Sequence, residues 1–337
     1  MGLNDLAPDG EHRGPVTGPV LAIDAGNSKT DAAVVLVDGR VVGTGRSGGF
    51  QPPRVGVETA VDTLAEAVSA AFAEAGVTEV GHVSACLANA DLPAEERQLA
   101  EALRRRGWSG TRSVDVRNDT FALLRTGVAE PRGVAVVCGA GINCVGMRPD
   151  GRTARFPAIG KISGDWGGGL GLAEEALWHA ARAEDGRGGA TALARALPAH
   201  FGLDSMYGLI EALHFGHVPS GRVHELTPVL FDCAQDGDAV ARSLVDRLAD
   251  EVVGMAVVAL TRLELLDEAA PVVLGGGVLA ARHPRLDEGV RARLAARAPK
   301  AVPQVVAERP VLGSALLGLD RLGAGPRAQA RLREELS

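Results

Sequence analysis

The stretch Val20-Leu21-Ala22-Ile23-Asp24-Ala25-Gly26-Asn27-Ser28-Lys29-Thr30-Asp31 decides how the rest of the chain is read. Its apolar start suits a strand buried on both faces. The strand ends on an acid and a turn of small residues, and a second strand follows over Asp31 to Val37. Asp38-Gly39 is a tight hairpin signal leading into a third strand, Arg40 to Gly45. The same order returns later. Gly133 to Cys138 is an apolar strand, Gly139-Ala140-Gly141 a glycine turn, Ile142 to Met147 a strand, and Asp150-Gly151 a second hairpin turn. Gly26 to Asp38 spans 12 positions and Gly139 to Asp150 spans 11, so the registers agree within one residue. A repeated strand–turn–strand–hairpin unit predicts two related α/β domains with a cleft between them.

The intervening segments fit this reading. Val57 to Ala75 has helical spacing, Val80 to Leu87 is a strand, Pro93 to Arg106 is a helix with proline in its first turn, Ser113 to Val116 is a short strand, and Thr120 opens a helix. Beyond Gly169 the chain reads as helices over Leu170–Ala183, Ala190–His200, Met206–Ala212, His224–Asp236 and Ala239–Leu266. The strand Pro271–Leu274 and the helix Leu312–Leu322 follow. Residues 1–18 read as a mobile tail, and 326–337 as a charged, frayed end.

Composition excludes several classes. Of 337 residues, 46% are hydrophobic and 23% charged, which is too apolar for intrinsic disorder over most of the chain. The net charge of −7 disfavours a general nucleic-acid binder. Four cysteines are too few for a disulfide framework. No apolar run approaches the roughly 20 residues of a membrane span, and no signal-peptide core opens the chain. The setting expected from this is the cytoplasm. Only Lys29, Lys161 and Lys300 are lysines, against 32 arginines, so each lysine draws notice.

Five stretches carry the chemistry. Asp24, at a strand end, is the candidate metal residue, and the turn Gly26, Asn27, Ser28, Lys29 and Thr30 can present N–H groups, hydroxyls and one point charge to a phosphate. The matching turn Gly139, Ala140 and Gly141 allows close backbone approach. Asn118-Asp119 lies between a strand and a helix, so Asp119 is either a helix cap or a general base. Gly160 to Gly169 runs into a helix whose N-terminus would suit a ligand, with Asp165 available to sugar hydroxyls. Gly275, Gly276 and Gly277 form a bare surface for a flat base, with Gly313-Ser314-Ala315 as its expected opposite side. No P-loop motif occurs in the chain. Cys138 and Cys144 read as packed thiols, and His214, His217 and His224 lack a regular metal-binding face.

In this order the five stretches resemble the sugar kinases of the actin/Hsp70/hexokinase fold. Within that fold the chain is similar to the N-acetylglucosamine kinase and BadF/BadG/BcrA/BcrD-type ATPase group, over about residues 20–320. The resemblance implies two ribonuclease-H-like α/β domains, over 19–118 and 119–325, the second with a helical insertion. It implies ATP and Mg²⁺ as cofactors and a small amino sugar as substrate, with neither nucleic acid nor membrane as partner and a homodimer as the expected assembly. Asp119 would deprotonate the sugar's 6-hydroxyl, and Asp24 would hold the metal. Gly26–Thr30 and Gly139–Gly141 would surround the phosphates, and Gly275–Gly277 would line the adenosine. Gln51, Asn89, Asn118, Ala158, Ile159 and Asp165 would touch the sugar. The chain departs from the family at Ala140 and Ile142, where hydroxyl residues are usual, and at Gln51, Ile159 and Trp166, where the family carries asparagine, an aromatic residue and glutamate. N-acetylglucosamine is the first reading of the substrate, with glucosamine and N-acetylmuramic acid beside it. An ATPase activator of a radical dehydratase, a sugar-responsive regulator and a non-catalytic sugar binder are the competing readings.

Overall fold

A computed structural model describes residues 17–111, 113–306 and 309–336. The tail expected over 1–18 therefore falls, for residues 1–16, outside the described residues. The strands are β1 (Val20–Ala25), β2 (Thr30–Val35), β3 (Val41–Ser47), β4 (His82–Leu87), β5 (Val114–Asn118), β6 (Gly133–Cys138), β7 (Ile142–Met147), β8 (Thr153–Arg155), β9 (Ala270–Gly275) and β10 (Ala301–Val305). They form two five-stranded sheets, ordered β3-β2-β1-β4-β5 and β8-β7-β6-β9-β10. Strand by strand the two orders are the same. The repeat that the sequence shows over three strands thus extends to five, with β4 matching β9 and β5 matching β10. In the first sheet β1, β2 and β3 pair antiparallel, while β1, β4 and β5 pair parallel.

The unbroken apolar run of β1 follows from burial on both faces. Leu21, Ile23 and Ala25 pack with Val61, Leu64 and Val68 of the helix Val57–Ala75. Val20 and Ala22 pack with Leu312, Ala315 and Leu316 of the helix Pro310–Arg321. The carboxyl ends of β1, β4 and β5 consequently emerge side by side from a rigid core.

The chain divides into two compact units. The first holds the described residues up to Ala135, Val145–Pro157, and those from Val306 onward; the second holds Val136–Cys144 and Ala158–Val305. The boundary expected after residue 118 lies inside the first unit. The helix Thr120–Gly127 stays there because the helix Pro310–Arg321 packs directly on it: a Cβ on Gly313 would stand 1.8 Å from the Ala122 carbonyl. Gly313 and the fully buried Ser314 are thus taken up by helix and sheet packing, Ser314 accepting a hydrogen bond from the Ser84 hydroxyl at its carbonyl (2.7 Å).

The C-terminal end is likewise not frayed. It forms the helix Pro326–Leu336, with Leu332 fully buried and Arg333 donating to the Thr126 carbonyl at 2.7 Å. Arg125, also fully buried, donates to the Asp320 carboxylate (2.7 and 3.1 Å), to Gln329 (2.9 Å) and to the Val128 carbonyl (2.8 Å). Removing one partner of such a pair leaves a buried charge uncompensated. Asp320→Ala is expected to cost about 3–5 kcal/mol in urea unfolding, and the apolar double variant Arg125→Met/Asp320→Leu to recover most of it.

Candidate functional site

The turn after β1 is closed by Gly26 donating to the Lys29 carbonyl at 2.9 Å, and a second loop lies against it. Phe50 donates to the Gly26 carbonyl at 2.9 Å, and a Cβ on Gly49 would stand 2.1 Å from the Asn27 carbonyl, so only glycine fits there. The Gln51 amide donates to the Asn27 carbonyl at 2.8 Å. Asn89, in a left-handed conformation with φ 60°, donates to the Asn27 side chain and to the Phe50 carbonyl, each at 3.1 Å. Asn27, Gln51 and Asn89 come from three separate parts of the sequence, and the fold joins them in one network. Lys29 Nζ lies 3.3 Å from Asp31, which also receives Arg46 Nε at 2.6 Å. Burial pushes the Asp31 carboxyl up, but Arg46 and Lys29 together outweigh it and hold it below the usual range.

Asp24 sits across from Asp31 on β2 and beside Cys86 on β4. It is 7% exposed, and its carboxyl is pushed up to about 8 by burial and then by the negative charges of Asp119 and Asp31, with Lys29 opposing. Asp119, just past β5, is pushed up to about 6 by burial, opposed by polar contacts with Thr120. The capping alternative for Asp119 has a direct answer. Its side chain makes no cap bond; Asn118 Oδ1 accepts the Thr120 N–H at 2.9 Å instead. Asn118 in turn donates to Asp91 Oδ1 at 2.8 Å.

Asp91, which the sequence reading did not single out, thereby joins this group. Glu95 holds its N–H at 3.0 Å, and Arg155, paired to Glu96 at 2.7 and 2.8 Å, donates to its carbonyl at 3.3 Å. The signal lay in Asn89-Ala90-Asp91, which follows β4 as Asn118-Asp119 follows β5. Polar residues just beyond the carboxyl ends of parallel strands are where α/β folds place ligands.

The two crowded acids, Asp24 and Asp119, suit a cation. Mg²⁺ is commonly held by one or two carboxylates together with substrate phosphates. Among the described residues no group of three or more His, Cys, Asp or Glu comes together as a complete metal site, so the acids could supply only such a partial set.

In the second unit the turn Gly139–Gly141 ends β6, with Gly139 donating to the Gly141 carbonyl at 2.9 Å. The helix Gly168–Glu184 starts directly on this turn. Gly169 and Leu170 donate to the Gly139 and Ala140 carbonyls at 2.7 and 3.1 Å. The helix N-terminus expected to face a ligand therefore spends these N–H groups on the turn. Gly276 behaves similarly, since a Cβ there would stand 2.5 Å from the Cys138 backbone. Gly139, Gly141 and Gly277 have nothing within 4 Å of where a Cβ would stand, and they are the open glycines of the group. Gly168 has φ 75°, and its Cβ would stand 2.5 Å from the Ala140 carbonyl oxygen. Gly168→Ala is expected to lose roughly 1–3 kcal/mol by thermal unfolding. Gly171→Ala, in the same helix with open space around it, should instead gain about 0.5–1 kcal/mol.

Ala158 to Trp166 forms a self-braced loop. Asp165 Oδ2 accepts from the Gly160 N–H (2.9 Å) and the Ser163 hydroxyl (2.6 Å), and Ser163 Oγ accepts from the Ile159 N–H (3.0 Å). Ala158 has φ 52°, and the Ile159 side chain is exposed. Trp166 is buried under the Arg247 guanidinium at 4.0 Å. Cys86 and Cys138 are buried and pushed up to about 12 by desolvation, and Cys144 is pushed up further, as packed thiols should be.

Two sheets of the same five-strand order, each ending in a glycine turn, define the class: this is the two-domain kinase fold of the actin/hexokinase type. The chain belongs to the BadF/BadG/BcrA/BcrD ATPase family, whose sequence profile matches residues 21–318. It is 25% identical over 262 residues to the N-acetylmuramic acid/N-acetylglucosamine kinase of Clostridium acetobutylicum, covering 77% of this chain and 85% of that protein. It is 24% identical over 315 residues to the N-acetyl-D-glucosamine kinase of Dictyostelium discoideum, covering 89% and 97%. A solved structure of a candidate N-acetylglucosamine kinase from Chromobacterium violaceum matches with a TM-score of 0.64 at 21% identity, over 90% of this chain and 99% of that one.

Proposed function

We propose that the protein is an ATP-dependent kinase that transfers a phosphoryl group to the 6-hydroxyl of an amino sugar, N-acetylglucosamine first among them. One observation carries the reading: Asp119 stands half-buried just past the carboxyl end of β5, its side chain making no cap bond and its carboxyl pushed up to about 6 by desolvation. A base with that affinity is ionised at neutral pH and still basic enough to take a proton in the transition state. In the proposed reaction Asp119 receives the proton of the 6-hydroxyl as its oxygen attacks the terminal phosphorus of ATP. Asn118, held by Asp91, hydrogen-bonds a neighbouring hydroxyl and fixes the ring. Gln51, Asn89, Ala158, Ile159 and Asp165 are the further sugar contacts. Asp24 holds Mg²⁺, which supplies charge neutralisation on the phosphates when bound. Ser28 and Lys29 of the first unit and the open glycines of the second are assigned to ATP. Phosphoryl transfer asks mainly for positioning and charge neutralisation, which such a set provides.

N-acetylmuramic acid is the second substrate reading, because the Clostridium relative carries both sugars in its name. The activator reading is weakened by the four cysteines, all buried, whereas a cluster shared between subunits needs exposed thiolates. A coupled ADP-release assay over N-acetylglucosamine, N-acetylmuramic acid, glucosamine and the parent hexoses tests the proposal. The highest kcat/KM is expected for N-acetylglucosamine. ADP release indifferent to every sugar would contradict it.

A further inference from the structure

Below the strand ends of the first unit, on the face of the sheet covered by the helix Pro310–Arg321, is a cavity of about 180 Å³. Ser84 and Cys86 of β4, Asp115 and Arg117 of β5, Arg148 after β7, and Asp320 and Arg321 of the helix are among its walls. Three arginines thus line one small space with two carboxylates, of which Asp320 is already taken by a buried arginine and Asp115 faces a histidine that burial holds below its usual range. Asp320 is bound by the buried Arg125 at 2.7 and 3.1 Å. Arg148 lies 3.9 Å from Asp150, and Asp115 lies 3.9 Å from His82 Nε2. Arg117 and Arg321 form neither an ion pair nor a hydrogen bond among the described residues; Arg117 has only the Phe121 ring, 5.7 Å away. Behind Asp115, the fully buried His82 leaves Nε2 without a hydrogen-bond partner.

Two half-buried arginines without an ion-pair partner among the described residues are unusual, because guanidinium groups removed from water normally find an anion. Their planar forks match tetrahedral oxyanions. The cavity is several times the roughly 30 Å³ that one water occupies, which is room for an oxyanion but not for a nucleotide.

We propose that this cavity is a phosphate-binding site, in which Arg117 and Arg321 grip either inorganic phosphate or the phosphate group of a small phosphorylated metabolite. Its placement gives it a route to the catalytic strand. Arg117 immediately precedes Asn118-Asp119, and in register it is one strand from Cys86 and two from Asp24. An occupant held by Arg117 therefore acts on the strand that carries both residues.

The test is isothermal titration calorimetry on the full chain, saturated with amino sugar and a non-hydrolysable ATP analogue so that the sites of the proposed reaction are filled. Inorganic phosphate is titrated in one arm and a hexosamine 6-phosphate in the other. Saturable one-site binding is expected in at least one arm, and the tighter arm identifies the source. Arg321→Gln and Arg117→Gln should each weaken it about tenfold or more, as loss of a charged hydrogen-bond donor does. The proposal is overturned by any of three results: no saturable binding in either arm, binding equal in wild type and both variants, or phosphate binding that is seen only without the ATP analogue.

Discussion

Asp119→Asn should lower kcat by roughly 10²–10⁴, the usual worth of a positioned base, while leaving the protein folded. The expectation is sharp because the cap role is already filled by Asn118, which takes the Thr120 N–H. Asparagine would in any case cap about as well as aspartate. The pH profile supplies a second readout. The active form of a base is the ionised one, so at saturating Mg²⁺, where Asp24 would be held ionised, wild-type kcat/KM should rise with pH through about 6 and level above it. That acid limb should be absent from whatever activity the variant retains. Because burial raises the carboxyl above its unfolded value, ionised Asp119 destabilises the fold at neutral pH, and the variant should be at least as stable as wild type there. A well-folded Asp119→Asn protein with near-normal turnover would move the search for the base to Asp165.

The second large effect is expected at Asp24. Without metal its carboxyl is pushed up to about 8, by burial first and by Asp119 and Asp31 after it. Between the unfolded value of 3.8 and about 8, the folded state binds a proton that the unfolded state has lost. Stability therefore falls as pH rises across that window and is unaffected by Asp24 below it. Asp24→Asn should remove this fall, so the variant melts higher than wild type at pH 8 and no differently at pH 4. Mg²⁺ with ATP should raise the wild-type melting temperature, by favouring the ionised form, and leave the variant's nearly unchanged. Mg²⁺-dependent turnover should drop by a factor comparable to that at Asp119, on the order of 10²–10⁴, if the carboxylate holds the metal on the phosphates. Unaltered Mg²⁺ dependence in Asp24→Asn would take Asp24 out of the site.

What the sequence revealed and what it hid have physical causes. β1, the Asp38-Gly39 and Asp150-Gly151 hairpins and the helix Val57–Ala75 were legible because burial and turn geometry leave local marks: an unbroken apolar run, glycines at φ 89° and 90°, and a regular apolar face. The helix Pro284–Arg297 went unread because Leu286, Val290 and Leu294 are set among arginines and a glycine, leaving a narrow apolar stripe. β10 was hidden by Pro303, which a strand tolerates only at a sheet edge, where β10 in fact lies. The C-terminal helix looked frayed because its order comes from partners more than two hundred residues away, such as Thr126 and Val41. No local pattern reports such contacts. The return of the chain to the first unit escaped the sequence for the same reason.

The candidate acids and the two turns stand out in the sequence because strand ends and glycines mark them. Asn27, Gln51 and Asn89 were named individually, but their common hydrogen-bond network comes only from the fold. Gly168 and Gly276 carry a packing requirement that glycine density alone does not reveal, since each lets one backbone approach another.

The central claim is that the chain moves a phosphoryl group from ATP to the 6-oxygen of an amino sugar. It is tested most directly by incubating ¹³C-labelled N-acetylglucosamine with ATP and Mg²⁺, then following ADP and the sugar together by ³¹P and ¹³C NMR. The account predicts one sugar phosphate formed per ADP, with the ³¹P–¹³C coupling appearing at C6. ADP accumulating without sugar phosphate, or coupling at another carbon, would contradict it.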